Sequence, residues 1–475
     1  MKAFALLMLS AVASHAGSGG GTESGVFIIP RVHAAAEKNV PEKARQTLDA
    51  LWPALHAAQR AWPGYDALGK PLLVAYSDGS ALMVGHPAPP AEFRRIVYRG
   101  MTAYVAERGP TINFDFRLNY EFGGARVTAV REEPELPPRE LVLLAVHERF
   151  HDFQKGFRFT PGYRKYAVEE GEDVALAALE NLALAAWLET ADEGAIFDFA
   201  AVRLRRRALF PDTTAEISEE NLEGTAQYVE AKAHEAVEGG AAARGALLKK
   251  LRSPVAVKDM PKSRLYSVGA VLGLMLESRT PGTWQRQVES GRSISELLLQ
   301  GLPLNAAEAA ERAARLTKNH EYARLLASGR QDAENLQRRR TEFRIRYESQ
   351  PGRRVELKNK GLQGGFEDDG EWFYYADGTR LHEHVVEWVG EGKAGRFRLS
   401  DRMVLDWYRG NDRVLEFFAG PEAEILIDGL PWQPDQGTRK FRTFSIIGRG
   451  VDLQFNGGRI EFGAGKLVVV PDGAD

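Results

Sequence analysis

The stretch Pro137-Pro138-Arg139-Glu140-Leu141-Val142-Leu143-Leu144-Ala145-Val146-His147-Glu148-Arg149-Phe150-His151-Asp152-Phe153-Gln154 carries a fold signal and a chemical signal together. Pro138 suits a first helical position, where its missing N–H forfeits no bond, and Leu143, Val146, Phe150, Phe153 and Phe157 recur at helical spacing. An unbroken apolar run, Leu141 to Val146, leads into His147, so the pattern predicts a helix buried on most of its sides.

His147 and His151 stand four residues apart on that helix, so both imidazoles leave one face a turn apart and can hold one ion. Glu148 projects from the adjacent face, where a carboxylate reaches a metal-bound water without being a ligand. Two histidines on a solvent-facing strip would need no ion. On a helix that is apolar around most of its circumference, the imidazoles and the carboxylate need partners, and a metal site supplies them.

A hydrolytic zinc site needs a third protein ligand and an open position for water. Glu169, Glu170, Glu172, Asp173, Glu180 and Glu223 are the downstream candidates. Glu223 lies in Ser218-Glu219-Glu220-Asn221-Leu222-Glu223-Gly224-Thr225-Ala226-Gln227-Tyr228-Val229-Glu230, with Leu222, Ala226 and Val229 as an apolar face. Gly224, lacking a side chain, is expected to let this segment approach the metal helix closely, and Glu219, one turn before Glu223, to orient a ligand imidazole.

His147-Glu148-x-x-His151 followed by Glu223-Gly224-Thr225-Ala226-Gln227-Tyr228 resembles the gluzincin metallopeptidases, in which two helix histidines and a later glutamate bind zinc. Tyr266-Ser267-Val268-Gly269 is similar to the Tyr-x-x-Gly segment of the aminopeptidase-N-like gluzincins, whose tyrosine stabilises the oxyanion. Phe150 and Gln154 add a likeness to bacterial secreted proteins of the peptidase MA-like group with a His-Glu-x-Phe-His-x-x-Gln pattern. The resemblance spans roughly Arg139 to Leu299. It implies a zincin-like catalytic domain that binds Zn2+ through His147, His151 and Glu223, with Glu148 as general base and Tyr266 as oxyanion donor. The interval from His151 to Glu223 is longer than in the aminopeptidases, and no Gly-x-Met-Glu-Asn segment precedes the metal helix, so endopeptidase and exopeptidase action both stay open.

On this reading, zinc lowers the pKa of its water toward neutrality, and Glu148 takes the proton and passes it to the leaving amine. The expected function is zinc-dependent hydrolysis of a peptide or protein substrate. One alternative is a catalytically silent, metal-stabilised cell-envelope binding protein whose β domain recognises a partner. Another is hydrolysis of a non-peptide amide by the same residues. Glu148 beside the histidine pair favours an enzyme, because a structural zinc site prefers a fourth protein ligand to a neighbouring base.

Outward from this segment, Pro41 to Ala61 has helical periodicity, and short strand patterns fall at Pro71 to Tyr76, Ala81 to Val84, Ile112 to Leu118 and Arg126 to Arg131. From Pro138 to about Ala327 the pattern is helical. Beyond Gln350-Pro351-Gly352 the chain turns to short runs rich in Val, Ile, Phe, Tyr and Trp, among them Glu371 to Tyr375, Met403 to Tyr408 and Lys466 to Val470. The expected fold class is α+β: a mainly helical catalytic domain with a small preceding sheet (41–350), then an all-β sandwich or barrel (351–475) that could bind an envelope or polysaccharide partner.

Lys2, the apolar run Ala3 to Ala13 and the small residues Ser14 and Ala16 read as a signal peptide at 1–16, followed by a Gly-rich linker at 17–40. A secreted or periplasmic location follows, with no stable membrane span after cleavage. With 62 Lys plus Arg against 65 Asp plus Glu among 475 residues, no positive field would gather nucleic acid. The absence of cysteine excludes disulfides, thiolate nucleophiles and Cys-type zinc sites. Gly64 to Lys70 has phosphate-loop spacing, but Pro71 replaces the required Ser or Thr. His382 and His384 are read as a solvated strand face, and the triplets Arg205 to Arg207 and Arg338 to Arg340 as solvated or interdomain faces.

Overall fold

In strand β1 (Leu72–Ala75) all four side chains are buried, because successive residues point to opposite faces and both faces are covered. Leu72 and Val74 pack into the helical core, while Leu73 and Ala75 join Met83, Phe93, Val127 and Ala129 on the other side. The computed structural model describes residues 40–110, 116–132, 136–158, 170–260, 262–358, 361–409, 412–432, 437–463 and 465–472. The leader at 1–16 lies outside them, as does the linker apart from Val40.

Helix α1 (Glu42–Ala61) precedes a six-stranded sheet ordered β3-β4-β2-β1-β6-β5, formed by β1, β2 (Ala81–Val84), β3 (Arg94–Tyr98), β4 (Met101–Ala106), β5 (Phe116–Phe122) and β6 (Ala125–Arg131). β1 and β6 run parallel at its centre. The β3–β4 hairpin is absent from the sequence reading for a physical reason. Its two-residue turn needs positive φ at both positions, usually signalled by Asn-Gly, but here Arg99 and Gly100 supply it at φ 46° and 80°.

Beyond β6 comes α2 (Pro138–Gln154), then α3 (Gly171–Thr190), α4 (Glu193–Leu209), the short α5 (Glu216–Glu219), a π-helical turn (Glu220–Gly224) and α6 (Thr225–Glu238). The helical part continues with α7 (Gly240–Arg252), α8 (Ser263–Arg279), α9 (Trp284–Glu289), α10 (Ile294–Gln300), α11 (Ala306–Leu316) and α12 (His320–Glu348). Behind α2, Trp62 gathers Phe150, Phe157, Tyr228 and Trp284 at ring separations of 5.0 to 6.5 Å, fixing α2 against α6.

The first arginine triplet is not a solvated face. Arg206 and, three residues before it, Arg203 point inward from α4 and are wholly buried. Arg203 donates to Glu180 at 2.8 and 2.9 Å and to Glu220 at 2.7 Å, while Arg206 donates to Asp173 at 2.6 Å and Glu216 at 2.7 Å. Arg264 of α8 completes the network, donating to Glu216 at 2.7 Å. Charges this deep persist because each has an opposite partner with good hydrogen-bond geometry.

After α12 the chain becomes β throughout the described residues. β7 (Arg353–Lys358), β12 (Asp412–Ala419), β11 (Gly395–Arg409), β16 (Val451–Gly463) and β17 (Lys466–Pro471) pair in a closed ring, since β11 pairs with both β12 and β16 and β17 with both β16 and β7. β11 can serve two neighbours because its two ends use different ones, and it turns between them at Asp401, φ 51°. Val355, Leu357, Leu399, Leu415, Phe417, Leu453 and Leu467 fill this small barrel. β8 (Gln363–Asp368), β9 (Trp372–Tyr374), β10 (Arg380–Gly392), β13 (Glu424–Ile427), β14 (Leu430–Pro431) and β15 (Gly437–Gly448) extend the sheet from it.

His382 is a further correction: it is fully buried, between Asp368 at 2.7 Å and Asp406 at 3.2 Å, whereas His384 is partly exposed and pairs with Asp369. A register shift between His382 and Val385 breaks the alternation that would have put both histidines on one face. Helix α12 packs on this domain through Phe343 on Phe373 and Tyr347 on Phe418, and Arg339 of the second triplet pairs with Glu371. No helix among the described residues is long and apolar enough to cross a membrane.

Candidate metal centre

Helix α2 is buried around most of its circumference: Leu141, Val142, Leu143, Ala145, Val146, His147, Glu148, Arg149, Phe150 and Gln154 are all inaccessible or nearly so. Its four-residue spacing brings the rings of His147 and His151 to 4.8 Å between centroids. Both turn Nε2 toward the same atom, Glu223 Oε2, which lies 3.3 Å from His147 Nε2 and 3.1 Å from His151 Nε2. The three ligand atoms fall within 4.8 Å of one another.

The opposite nitrogens are engaged elsewhere. His147 Nδ1 lies 2.9 Å from Glu230 Oε2, and His151 Nδ1 lies 2.6 Å from Gln154 Oε1. Each Nδ1 contact is with an acceptor, so Nδ1 keeps its proton, and an ion bound between the Nε2 atoms and Glu223 would take the place of the proton that they share with that carboxylate. The Gln154 amide nitrogen in turn donates to the Leu222 carbonyl and the Thr225 hydroxyl, each at 2.7 Å, tying the metal helix to the segment that carries Glu223.

That segment is a π turn, an extra residue inserted into the helix where a functional group must be re-aimed. Asn221 anchors it by accepting from the Ile294 amide at 2.9 Å. The turn explains two departures from expectation. It rotates Glu219 out of phase with the residues after it, so the imidazole-orienting carboxylate is Glu230, two helical turns beyond Glu223 on the same face. Gly224 meets α8 rather than the metal helix: a Cβ there would stand 2.5 Å from the Gly269 Cα. The i, i+7 spacing of Glu223 and Glu230 was the sequence signal that could have found Glu230.

The other acidic candidates lie away from the histidines or on other partners. Glu180 and Asp173 belong to the buried arginine network, Glu172 pairs with Arg205, Glu170 is exposed, and Glu169 lies outside the described residues.

Burial alone would disfavour the charged form of His147, but the hydrogen bonds to Glu223 and Glu230 outweigh it and push its pKa up to about 9. Burial works against the Glu223 carboxylate too, yet bonding to the two histidines holds its pKa well below the usual carboxylate range. The pocket is thus built to hold positive charge. Glu148 is 7 % exposed, and burial raises its pKa against the pull of the neighbouring histidines, the direction expected of a group that accepts a proton near neutrality. The Tyr266 ring stacks on His147 at 5.7 Å with 9° between planes; burial, then the adjacent Glu223, keep its phenol protonated and able to donate.

The chain is therefore an α+β protein whose His147, His151 and Glu223 form a group able to hold a metal ion. Comparison with protein-family models, curated proteins and solved structures finds no match to the chain.

Proposed function

We propose that the protein is a zinc-dependent peptidase of gluzincin type, acting after export. The observation that carries this reading is the division of labour around the histidines: both Nε2 atoms converge on Glu223, both Nδ1 atoms are bonded to Glu230 and Gln154, and Glu148 and Tyr266 remain outside the ligand set. Two neutral imidazoles and one carboxylate match the donor set of a catalytic zinc, which keeps a position open.

Zinc held there would supply a Lewis acid that brings the pKa of a water down to near neutrality. Glu148 accepts the proton of the attacking water and delivers it to the departing amine. Tyr266 donates a hydrogen bond to the oxygen on which negative charge develops. Glu230 and Gln154 hold the two imidazoles in the required tautomer, and the Trp62 cluster keeps α2 rigid behind them.

The test is digestion of a peptide library by the zinc-loaded protein beside Glu148→Gln and a chelated control. The expected result is cleavage by wild type alone, with Glu148→Gln still binding zinc and His147→Ala losing both. Cleavage by Glu148→Gln at the wild-type rate would remove the base assignment. No cleavage by any of the three would favour the metal-stabilised binding protein.

A further inference from the structure

A cleft of about 540 Å³ has as one wall Tyr266, whose ring stacks on His147. Asn181, Lys250, Lys262 and Arg264 also line it, and no carboxylate does. The Lys262 ammonium has no hydrogen-bond or ion-pair partner among the described residues. The Lys250 ammonium is held at 3.2 Å by Gln227, which precedes Glu230 by three residues on α6, so this cation is fixed relative to the metal centre.

The third cation is inside the wall. Arg264 is 6 % exposed; Nη1 and Nη2 are taken by Glu180, Asn181 and Glu216, but its buried Nε has no hydrogen-bond partner among the described residues. That N–H has almost no accessible surface, so it lies behind the wall, and Arg264 shapes the cleft rather than contacting what fills it. The cleft also lies at the start of the 17-residue helix α8, where no side chain caps the first-turn amides and the helix dipole is positive.

Resting on the peptidase reading, we propose that this cleft recognises a carboxylate next to the scissile bond. The substrate would be a peptide with an acidic side chain, or a free C-terminus, at the residue that enters beside Tyr266. Lys262 and Lys250 would supply the charge and the hydrogen-bond donors.

The experiment uses zinc-loaded full-length protein and peptides that differ only in Glu or Gln beside the cleaved bond, each as free acid and C-terminal amide. The acidic member of a pair should show a kcat/KM roughly ten- to a hundredfold higher, mostly through KM, as expected for a charge-assisted hydrogen bond in a partly enclosed site. Lys262→Gln should erase that preference, the loss in kcat/KM falling on the acidic peptide rather than on the neutral amide. Sensitivity to Glu in the amide series identifies the side chain; sensitivity to the free acid in the Gln series identifies the C-terminus. Equal cleavage of all four peptides, or a preference that survives Lys262→Gln combined with Lys250→Gln, overturns the cleft assignment and leaves the peptidase reading standing. If no peptide is cleaved, binding of the same four is measured by calorimetry. Charge-selective binding lost in Lys262→Gln upholds the cleft while the peptidase reading fails, and charge-blind or absent binding overturns the cleft as well.

Discussion

His147 donates through Nδ1 to Glu230 Oε2 at 2.9 Å, across the interface of two helices whose contacting residues are 83 positions apart. The bond fixes the tautomer and aims Nε2 at Glu223. Glu230→Ala should therefore weaken zinc binding by about ten- to a hundredfold without unfolding the protein. Competition with a chromophoric chelator measures this, and an affinity within threefold of wild type would show that Glu230 does not orient the ligand.

Near the site, Gly224 packs closely against Gly269. Gly224→Ala would set a Cβ 2.5 Å from the Gly269 Cα and press on the π turn that presents Glu223. The cost should be about 1–3 kcal/mol in urea denaturation, together with weaker zinc binding. Gly245→Ala is the matched control, because nothing lies within 4 Å of its Cβ position in the exposed face of α7. That change should be neutral or stabilising by about 0.5–1 kcal/mol.

Arg206 holds Asp173 and Glu216 inside the helical core, both with side chains almost wholly inaccessible. Arg206→Met leaves those carboxylates facing too few cations and should destabilise the protein by about 3–5 kcal/mol. Arg339→Met removes an ion pair whose partners are 44 % and 37 % exposed, where solvent screens the attraction, and should cost about 0–1 kcal/mol. Similar losses for the two variants would mean that the buried network is energetically idle.

Acid should destabilise the C-terminal barrel through Asp406. Burial favours its neutral form, but the His382 hydrogen bond and the Arg380 and Arg413 charges prevail and hold its pKa well below the usual range. A carboxylate whose folded pKa is depressed contributes stability that is fully present above its unfolded pKa of about 4 and is lost as pH falls below it toward the folded value. Unfolding followed by tryptophan fluorescence, to which Trp388 and Trp407 of this domain contribute among the chain's eight tryptophans, should show stability unaffected by this group above about pH 4 and falling beneath it. Asp406→Asn should be less stable at neutral pH and have a flatter acid limb.

The sequence by itself determined what depends on one element at a time. The four-residue step of His147 and His151, the burial of α2 and the strand-rich C-terminal quarter all follow from periodicity, which a local pattern carries. Glu223 was singled out among six acids only through its resemblance to a known motif, since helix spacing cannot bring together residues 72 positions apart. What only the tertiary structure decided lies between elements: Glu230 rather than Glu219 beside His147, Gln154 bridging to Leu222 and Thr225, Arg206 inside the core, His382 buried behind a β-bulge and the ring closed by β11 meeting both β12 and β16. A π turn shifts helical phase, and a bulge shifts strand alternation, by a single residue. Neither leaves a mark in composition, so the facing of every side chain beyond it is fixed by packing rather than by spacing.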